Sequence, residues 1–288
     1  MKALFIHAHF DDYEFTASGT FELWRRRLGA EFRGKVVVCT DGAGGHHRLS
    51  REETARVRLA EQEASAALGG YDFELLRLPD GSVPREACLR HTPTFLAALW
   101  KAIRDFEPDY LFAPPLPTNP LAGVHLDHSA VADAVRDVAY LINVPHVFTP
   151  EYPAQDGPAR SCKVPVILTV YDTYMAGANA FDLAVDIEST FDLVTRMSWC
   201  HQSQIMEWLP WVGRHAMKVP KDEADWQRQL RARYEQQNVE LGLPPRPACE
   251  FFTVTAWGER PDVDQLLRDF PHLIPDADRE ARLRRRFG

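Results

Sequence analysis

The sequence predicts a three-layer α/β fold, in which a parallel sheet lies between helices on both faces. The first observation is that strand-like and helix-like segments alternate four times in the first half of the chain. The second is that a strand-like run such as Val36–Thr40 is β-branched and apolar, as expected of a buried strand. The third is that 45% of the 288 residues are hydrophobic, which is enough to form a sizeable core.

The first half predicts four strands, at Ala3–Ala8, Val36–Thr40, Phe73–Leu78 and Tyr110–Ala113. Between and after them we predict four helices, at Gly19–Leu28, Ser50–Leu68, Thr94–Phe106 and Ser129–Leu141. The second helix begins with the capping-box spacing of Ser50 and Glu53 and ends at two glycines. Right-handed crossovers place the carboxyl ends of parallel strands at one edge, where such sheets bind ligands. We therefore expect the functional site at that edge.

The second half is less regular. It predicts strands at Pro165–Tyr171 and Phe251–Trp257, and helices at Thr190–Trp208 and Asp222–Leu241. The sequence has no clear linker, so we expect a single domain over residues 1–288, with a core of about 1–257 and a C-terminal extension at 258–288. The four arginines within 282–288 predict a solvated tail.

Charge and composition exclude several classes of function. The net charge of −8 lacks the basic excess of nucleic-acid-binding proteins, so we expect no nucleic-acid partner. The sequence contains no apolar run long enough to predict a transmembrane helix, and its N-terminus turns polar too soon for a signal peptide. The five cysteines are scattered and form no CxxC pair, which favours a reducing cytoplasm over a disulfide framework.

Two short segments carry chemistry. Residues Ala8–Glu14 follow the first strand directly, and Gly123–His128 lie in the loop after the fourth. Both segments should reach the same edge of the sheet, where they supply imidazoles and carboxylates together. Three such ligands with an open position for water are typical of catalytic zinc. The pair therefore predicts a catalytic metal site, and one of two adjacent aspartates can bind the metal while the other accepts a proton.

These segments resemble motifs of the PIG-L/LmbE-like deacetylases, a family that includes the de-N-acetylases of glycosylphosphatidylinositol, mycothiol and bacillithiol biosynthesis. The AHxDDxE motif is Ala8–Glu14, and the HxDH motif is His125–His128. The resemblance extends to about Trp257 through four further matches: Thr40–His46 for TDGxxGGH, Leu78–Gly81 for LPDG, His201–Gln204 for HxSQ and Glu250–Phe252 for ExF. It implies a Rossmann-like fold.

The resemblance also implies roles for individual residues. It makes His9, Asp12 and His128 the ligands of Zn²⁺, with iron left open as the physiological metal, and Asp11 the general base. His125 would lie beside the developing oxyanion, as a protonated stabiliser or as the acid for the leaving amine, and Asp127 would orient it.

Substrate contacts follow less directly. An arginine of the second helix is expected to contact substrate. Arg58 fits the RxxE pattern, although Arg56 remains an alternative. Asp80, after the third strand, is expected to bind a sugar hydroxyl. Gly123 replaces the tyrosine that some relatives carry, so another residue such as Asn119 would have to take over any role of that tyrosine. Phe10 and Leu126 replace prolines that supply no chemistry.

We therefore predict a metal-dependent hydrolase that removes an N-acyl group, with acetyl favoured, from a small amino sugar or glycoconjugate. An amidase for a larger acyl group or a thiol conjugate remains the alternative, because the same machinery serves both reactions. A Rossmann-like nucleotide-binding module is disfavoured, since Phe10, Asp11 and Asp12 occupy the turn that would need GxGxxG. The sequence contains no GxSxG nucleophile elbow, so a serine hydrolase is disfavoured. A homo-oligomer is compatible with the sequence.

Overall fold

Seven strands form one sheet in the computed structural model, which describes residues 1–158, 160–175, 177–213 and 217–288. The strands are β1 Lys2–His7, β2 Arg33–Val38, β3 Asp72–Leu75, β4 Tyr110–Ala113, β5 Val166–Val170, β6 Leu183–Asp186 and β7 Cys249–Val254. Their order in the sheet is β3-β2-β1-β4-β5-β7-β6. Strands β1 to β5 run parallel to one another, whereas β7 pairs antiparallel with both β5 and β6. The sheet is therefore mixed.

Helices cover both faces of the sheet. The described α-helices are α1 Ser18–Leu28, α2 Arg51–Gly69, α3 Pro93–Phe106, α4 Leu126–Ala139, α5 Phe191–Trp199, α6 Leu209–Val212, α7 Glu223–Glu240, α8 Val263–Asp269 and α9 Ala277–Phe287. Successive residues of β1 point to opposite faces, so Ala3 and Phe5 enter one buried cluster while Leu4 and Ile6 enter another. The predicted α/β layering is thus confirmed. Within the described residues, no helix has the length and apolar character needed to cross a membrane.

Several predicted boundaries are wrong for local reasons. The HxDH motif is not a loop, because the His125 side chain accepts a hydrogen bond from the backbone N–H of Asp127 and α4 begins at Leu126. The helix predicted at Thr190–Trp208 is divided into α5 and a π-helical segment, Ser203–Trp208. The four-residue strand β6 was not predicted at all. The capping box of α2 is present as predicted.

The end of the chain is not a solvated tail. In α9, Leu283 and Phe287 lie one turn apart and are both buried in the same core cluster as β1. Arg286 donates to the carboxylate of Asp182 and to the carbonyl of Val254. The C-terminal segment therefore packs on the sheet because two apolar residues among the arginines face inward.

Glu250 on β7 caps the buried start of α1. Its carboxylate accepts hydrogen bonds from the backbone N–H groups of Gly19 and Thr20 and from the Thr20 hydroxyl, at 2.6 to 2.8 Å. Burial raises the pKa of Glu250 to about 7, although these three donors act in the opposite direction. The ExF motif thus supplies a helix cap in this structure.

Candidate metal centre

The AHxDDxE motif, Ala8–Glu14, begins directly after β1. After His7 the chain turns, and the Asp12 carboxylate accepts a 2.8 Å hydrogen bond from the backbone N–H of His9. Asp11 adopts a φ of 78°, which is uncommon for a residue other than glycine, and its N–H donates to the Gln62 side chain at 3.1 Å. The turn therefore gives the two adjacent aspartates different surroundings.

The three predicted ligands meet at one point. The Nδ1 atom of His9 lies 3.1 Å from Nε2 of His128, and each of these atoms lies 3.6 Å from Oδ2 of Asp12. Ligands of a tetrahedral zinc ion, at about 2.0 to 2.1 Å from the metal, are separated by about 3.3 to 3.4 Å. The spacing of the three atoms fits such an ion.

Two further carboxylates fix the imidazoles. Nε2 of His9 lies 3.1 Å from Oδ2 of Asp127, and Nδ1 of His128 lies 2.8 Å from Oδ2 of Asp172. When these outer nitrogens carry the protons, the inner nitrogens present lone pairs to each other and to the Asp12 carboxylate. Three converging lone pairs repel one another unless a cation lies between them. The donor set therefore suits a metal ion.

The electrostatics of the centre favour positive charge. Burial lowers the pKa of His9, but its hydrogen bond with Asp127 and the charges of Asp12 and Glu86 raise it to about 8. Burial acts to raise the pKa of Asp12, and the charges of His7 and His128 hold it well below its usual range. The Asp12 carboxylate is therefore ionised near neutral pH, as a metal ligand must be.

His7 belongs to the centre although the sequence did not predict it. Its Nδ1 lies 2.5 Å from Oδ2 of Asp12, and burial lowers the pKa of His7, so a neutral imidazole donates to the carboxylate. Among the described residues, two groups could hold a metal: His7 with Asp12 and His128, and His9 with His125 and His128. Both groups share His128, and the triangle of His9, Asp12 and His128 lies between them.

Asp11 is paired with Arg58 beneath the centre. The Arg58 guanidinium lies 3.2 Å from the Asp11 carboxylate and donates to the Phe10 carbonyl at 2.6 Å. Burial raises the pKa of Asp11, and the Arg58 charge opposes that rise. Arg58 is 3% exposed, whereas Arg56 faces solvent. Of the two arginines considered, Arg58 is therefore the one at the site, where it holds Asp11.

A buried network ties the other motifs to Arg58. Its guanidinium also lies 3.3 Å from Nδ1 of His201 and from the carboxylate of Glu61. Glu61 accepts from both the N–H and the hydroxyl of Ser203. Glu14 accepts from three side chains at 2.5 to 2.8 Å, those of Gln62, Ser65 and Tyr71. The AHxDDxE, RxxE and HxSQ motifs thus form one hydrogen-bonded unit.

The expected contact between Asp127 and His125 takes a different form. The Asp127 carboxylate accepts from the backbone N–H groups of Ala87 and Leu89 and lies against His9. Its backbone N–H, and not its carboxylate, donates to Nδ1 of His125 at 3.2 Å. The Asp127 carboxylate therefore orients His9, and only the backbone of Asp127 contacts His125.

His125 is half-buried and stacks edge-on against His9, with ring centroids 4.6 Å apart. Burial lowers the pKa of His125, and so do the charges of His9 and His128. The neutral imidazole is therefore favoured over the protonated stabiliser. Since Nδ1 accepts from Asp127, Nε2 carries the proton and is free to donate.

Asp80 lies apart from this arrangement. It is exposed, and its carboxylate accepts from the N–H and hydroxyl of Ser82 in its own turn, at 2.9 and 2.6 Å. It does not line the pocket beside the metal centre. Its contacts are those of a turn aspartate.

The pocket beside the centre contains residues that the sequence analysis missed. It is lined by Asp11, Asp12 and His128 together with Asp172, Tyr174 and Arg233 from the second half. The Tyr174 ring lies 5.8 Å from that of His125, and its carbonyl oxygen would be 2.9 Å from a Cβ added to Gly123. Tyr174 therefore occupies the space that a side chain at Gly123 would need. Asn119 instead bonds within its own turn.

The comparison with known families concerns the first half of the chain. Residues 4–139 match the family model PIG-L, described as GlcNAc-PI de-N-acetylase. The resemblance to the PIG-L/LmbE-like deacetylases is thereby confirmed, and it supports a de-N-acetylase in general terms. No curated protein matches the chain significantly.

Solved structures confirm the fold. N,N'-diacetylchitobiose deacetylase from Pyrococcus horikoshii is similar with a TM-score of 0.64 and 23% identity, covering 89% of this chain and 84% of that one. A deacetylase triple mutant from the teicoplanin biosynthetic pathway has a TM-score of 0.53 and 14% identity, with 89% and 99% covered. GalB of Pseudomonas putida KT2440, a 4-carboxy-2-hydroxymuconate hydratase, is similar with a TM-score of 0.58 and 16% identity, covering 88% of this chain and 95% of that one. The fold therefore accommodates different reactions.

Proposed function

We propose that this protein is a zinc-dependent hydrolase that removes an N-acyl group, with acetyl favoured, from an amino sugar or glycoconjugate. The observation that carries the proposal is the convergence of three potential ligand atoms, from His9, Asp12 and His128, beside Asp11, whose pKa is raised. The PIG-L match adds support for de-N-acetylation.

His9, Asp12 and His128 would hold the zinc ion. When bound, zinc would polarise the amide carbonyl and make water a stronger nucleophile near neutral pH. Asp127 and Asp172 fix the tautomers of the two imidazoles, and His7 orients Asp12. Such outer contacts keep ligand atoms aimed at one point.

Asp11 would accept the proton from the attacking water. Its backbone is held by Gln62 and its carboxylate by Arg58, so its position does not depend on the substrate. Burial raises its pKa, which makes it a better base than an exposed aspartate. Asp11 can afterwards return this proton to the departing amine.

His125 would donate from Nε2 to the oxygen that becomes negative as the amide carbon is attacked. The Tyr174 ring lies near the rings of both His125 and His128, so its hydroxyl would be a second donor. Burial raises the pKa of Tyr174 to about 12, so this phenol remains a donor near neutral pH. Two neutral donors are thus available for one oxyanion.

The substrate class rests on what similar proteins act on. The matching family model is described by an N-acetylglucosamine lipid, and the similar Pyrococcus enzyme is a diacetylchitobiose deacetylase. From these similar proteins we infer that the substrate of this chain is an N-acylated amino sugar.

The test is release of free amine by purified protein from which metal has been removed. Zinc or iron is then added back, and a panel of N-acetylated sugars, longer N-acyl sugars and thiol glycosides is supplied. We expect activity to return with metal and to be highest on N-acetylated sugars. Preference for longer acyl groups or thiol conjugates would favour the amidase alternative, and metal-independent amine release would overturn the proposal.

A further inference from the structure

One cation in the pocket beside the metal centre takes no part in the proposed chemistry. Arg233 of α7 lines this pocket together with Asp11, Asp12 and His128. It comes from the second half of the chain and lies outside every motif named above. Its side chain is neither fully buried nor fully exposed.

The position of Arg233 follows from how α7 packs. Trp226, Leu230 and Tyr234 recur at intervals of four residues and are all buried against the core. Arg233 lies at the border of this apolar stripe, and its guanidinium carbon is 4.6 Å from the centre of the Phe15 ring. Phe15 also lines the pocket. The guanidinium is therefore held at the pocket wall by stacking on an aromatic ring.

The carboxylates of the pocket already have cationic or imidazole partners. Asp11 is paired with Arg58, Asp12 with His7, and Asp172 with His128. Across the ranges that the structure describes, Arg233 forms neither an ion pair nor a hydrogen bond, in contrast to Arg228 and Arg231 of the same helix. All five N–H donors of Arg233 thus remain available for a ligand.

The surroundings of Arg233 suit a polar ligand. Tyr171 and Tyr174 line the same pocket, and the Arg233 charge acts on the pKa of both. The Tyr171 hydroxyl donates to Glu240, so Tyr174 is the phenol left to meet a ligand beside Arg233. Guanidinium groups bind carboxylates and phosphates through paired hydrogen bonds, which gain strength where water is partly excluded. Among the described residues no anion pairs with Arg233, so its partly exposed guanidinium is left to solvent or to a ligand.

We propose that Arg233 binds an oxyanion of the substrate, a carboxylate or a phosphate, while the N-acyl group lies at the metal centre. The inference rests on the proposed function and narrows its substrate class to anionic N-acyl amino sugars. Arg233 is then a specificity-determining residue, since it touches a part of the substrate that does not react.

The test compares three substrates: N-acetylglucosamine, its 6-phosphate, and N-acetylmuramic acid as the carboxylate. The variants are Arg233→Gln and Arg233→Lys, with Arg228→Gln as the control that removes the same charge from an exposed position of the same helix. We expect Arg233→Gln to raise KM for the preferred anionic substrate by about 10- to 100-fold. Its kcat, and both constants for the neutral sugar, should change little. The substrate whose KM rises shows whether Arg233 binds a phosphate or a carboxylate.

Partial rescue by Arg233→Lys, and wild-type kinetics for Arg228→Gln, would support the proposal. Equal changes for neutral and anionic substrates would overturn it, and so would wild-type kinetics for Arg233→Gln. If the wild-type protein releases amine from none of the substrates, the proposed function fails. Arg233 is then tested by calorimetric binding of glucose 6-phosphate and of glucuronate, each against glucose. Loss of the preference for either anion in Arg233→Gln would support an anion site, and absence of any such preference in the wild type would overturn it.

Discussion

Carboxylates with little exposure to solvent lie both at the candidate metal centre and at the start of α1, and their pKa values are shifted in opposite directions. At the candidate metal centre, Asp12 and Asp172 lie against imidazoles, and their pKa values are lowered although burial acts to raise them. At the start of α1, Glu250 accepts only from backbone and hydroxyl donors, and burial raises its pKa to about 7. Pairing with imidazoles thus distinguishes a place that stabilises a cation from one that caps a helix.

The largest expected effect comes from removing a ligand. His128→Ala should reduce the metal content from about one zinc per chain to near zero and lower activity by about 10³-fold or more, because His128 belongs to both candidate donor groups. Elemental analysis and amine release measure the two effects. The control is Glu250→Gln, which should keep its metal, and a His128→Ala variant with full metal and activity would contradict the assignment.

His125→Ala should leave zinc bound and lower kcat by about 10²- to 10³-fold, the value of an oxyanion donor worth about 3 to 4 kcal/mol. Substrate affinity should change little, since the charge that His125 meets develops only near the transition state. Metal analysis and steady-state kinetics test this together. Loss of zinc in the variant would instead assign His125 to the metal, as the alternative donor group allows.

Asp11→Asn should retain zinc and lower kcat by about 10²-fold or more, because the residue accepts a proton but provides no ligand atom. Metal content is measured beside Asp12→Asn, in which we expect the zinc to be lost. The reverse pattern, with zinc lost from Asp11→Asn and kept by Asp12→Asn, would exchange the roles of the two residues.

Asp172→Asn should have a smaller effect, a loss of zinc affinity of about 10- to 100-fold. The substitution removes the negative partner of the His128 ring but keeps its shape. Competition with a chelator measures the affinity. Asp182→Asn is a matched control on a buried carboxylate that binds Arg286 elsewhere, and equal affinities in both variants would show that the His128 contact does not tune the metal.

The smallest effect on activity is expected at Glu250, where the readout is stability. Its folded-state pKa is raised to about 7, so its contribution to stability is full below its unfolded pKa and is lost as the pH rises through about 7. Ionisation of Glu250 lowers the free energy of unfolding by an amount on the order of 3 kcal/mol. Urea unfolding at pH 5 and pH 8 should therefore show Glu250→Gln gaining stability relative to wild type at pH 8. A relative loss there would mean that the three donors keep Glu250 ionised.

The sequence predicted the edge of the sheet at which the candidate site lies, and the same rule also pointed to a residue that was missed. Asp172 directly follows the predicted strand Pro165–Tyr171, as His9 follows the first strand. Applying the strand-end rule there would have placed Asp172 at the centre. Arg233 had no such signal, because arginines on a charged helix are usually solvated.

The alternation of apolar runs determined the α/β layers, and capping chemistry determined the start of α2, because both depend on neighbours within a few residues. Only the tertiary structure decided that the Asp127 carboxylate serves His9 and not His125, and that β7 runs antiparallel. It also decided that Arg233 meets the first-half motifs in one pocket. Such contacts join atoms that are distant in sequence, and the direction of a carboxylate or guanidinium depends on the packing of several elements at once.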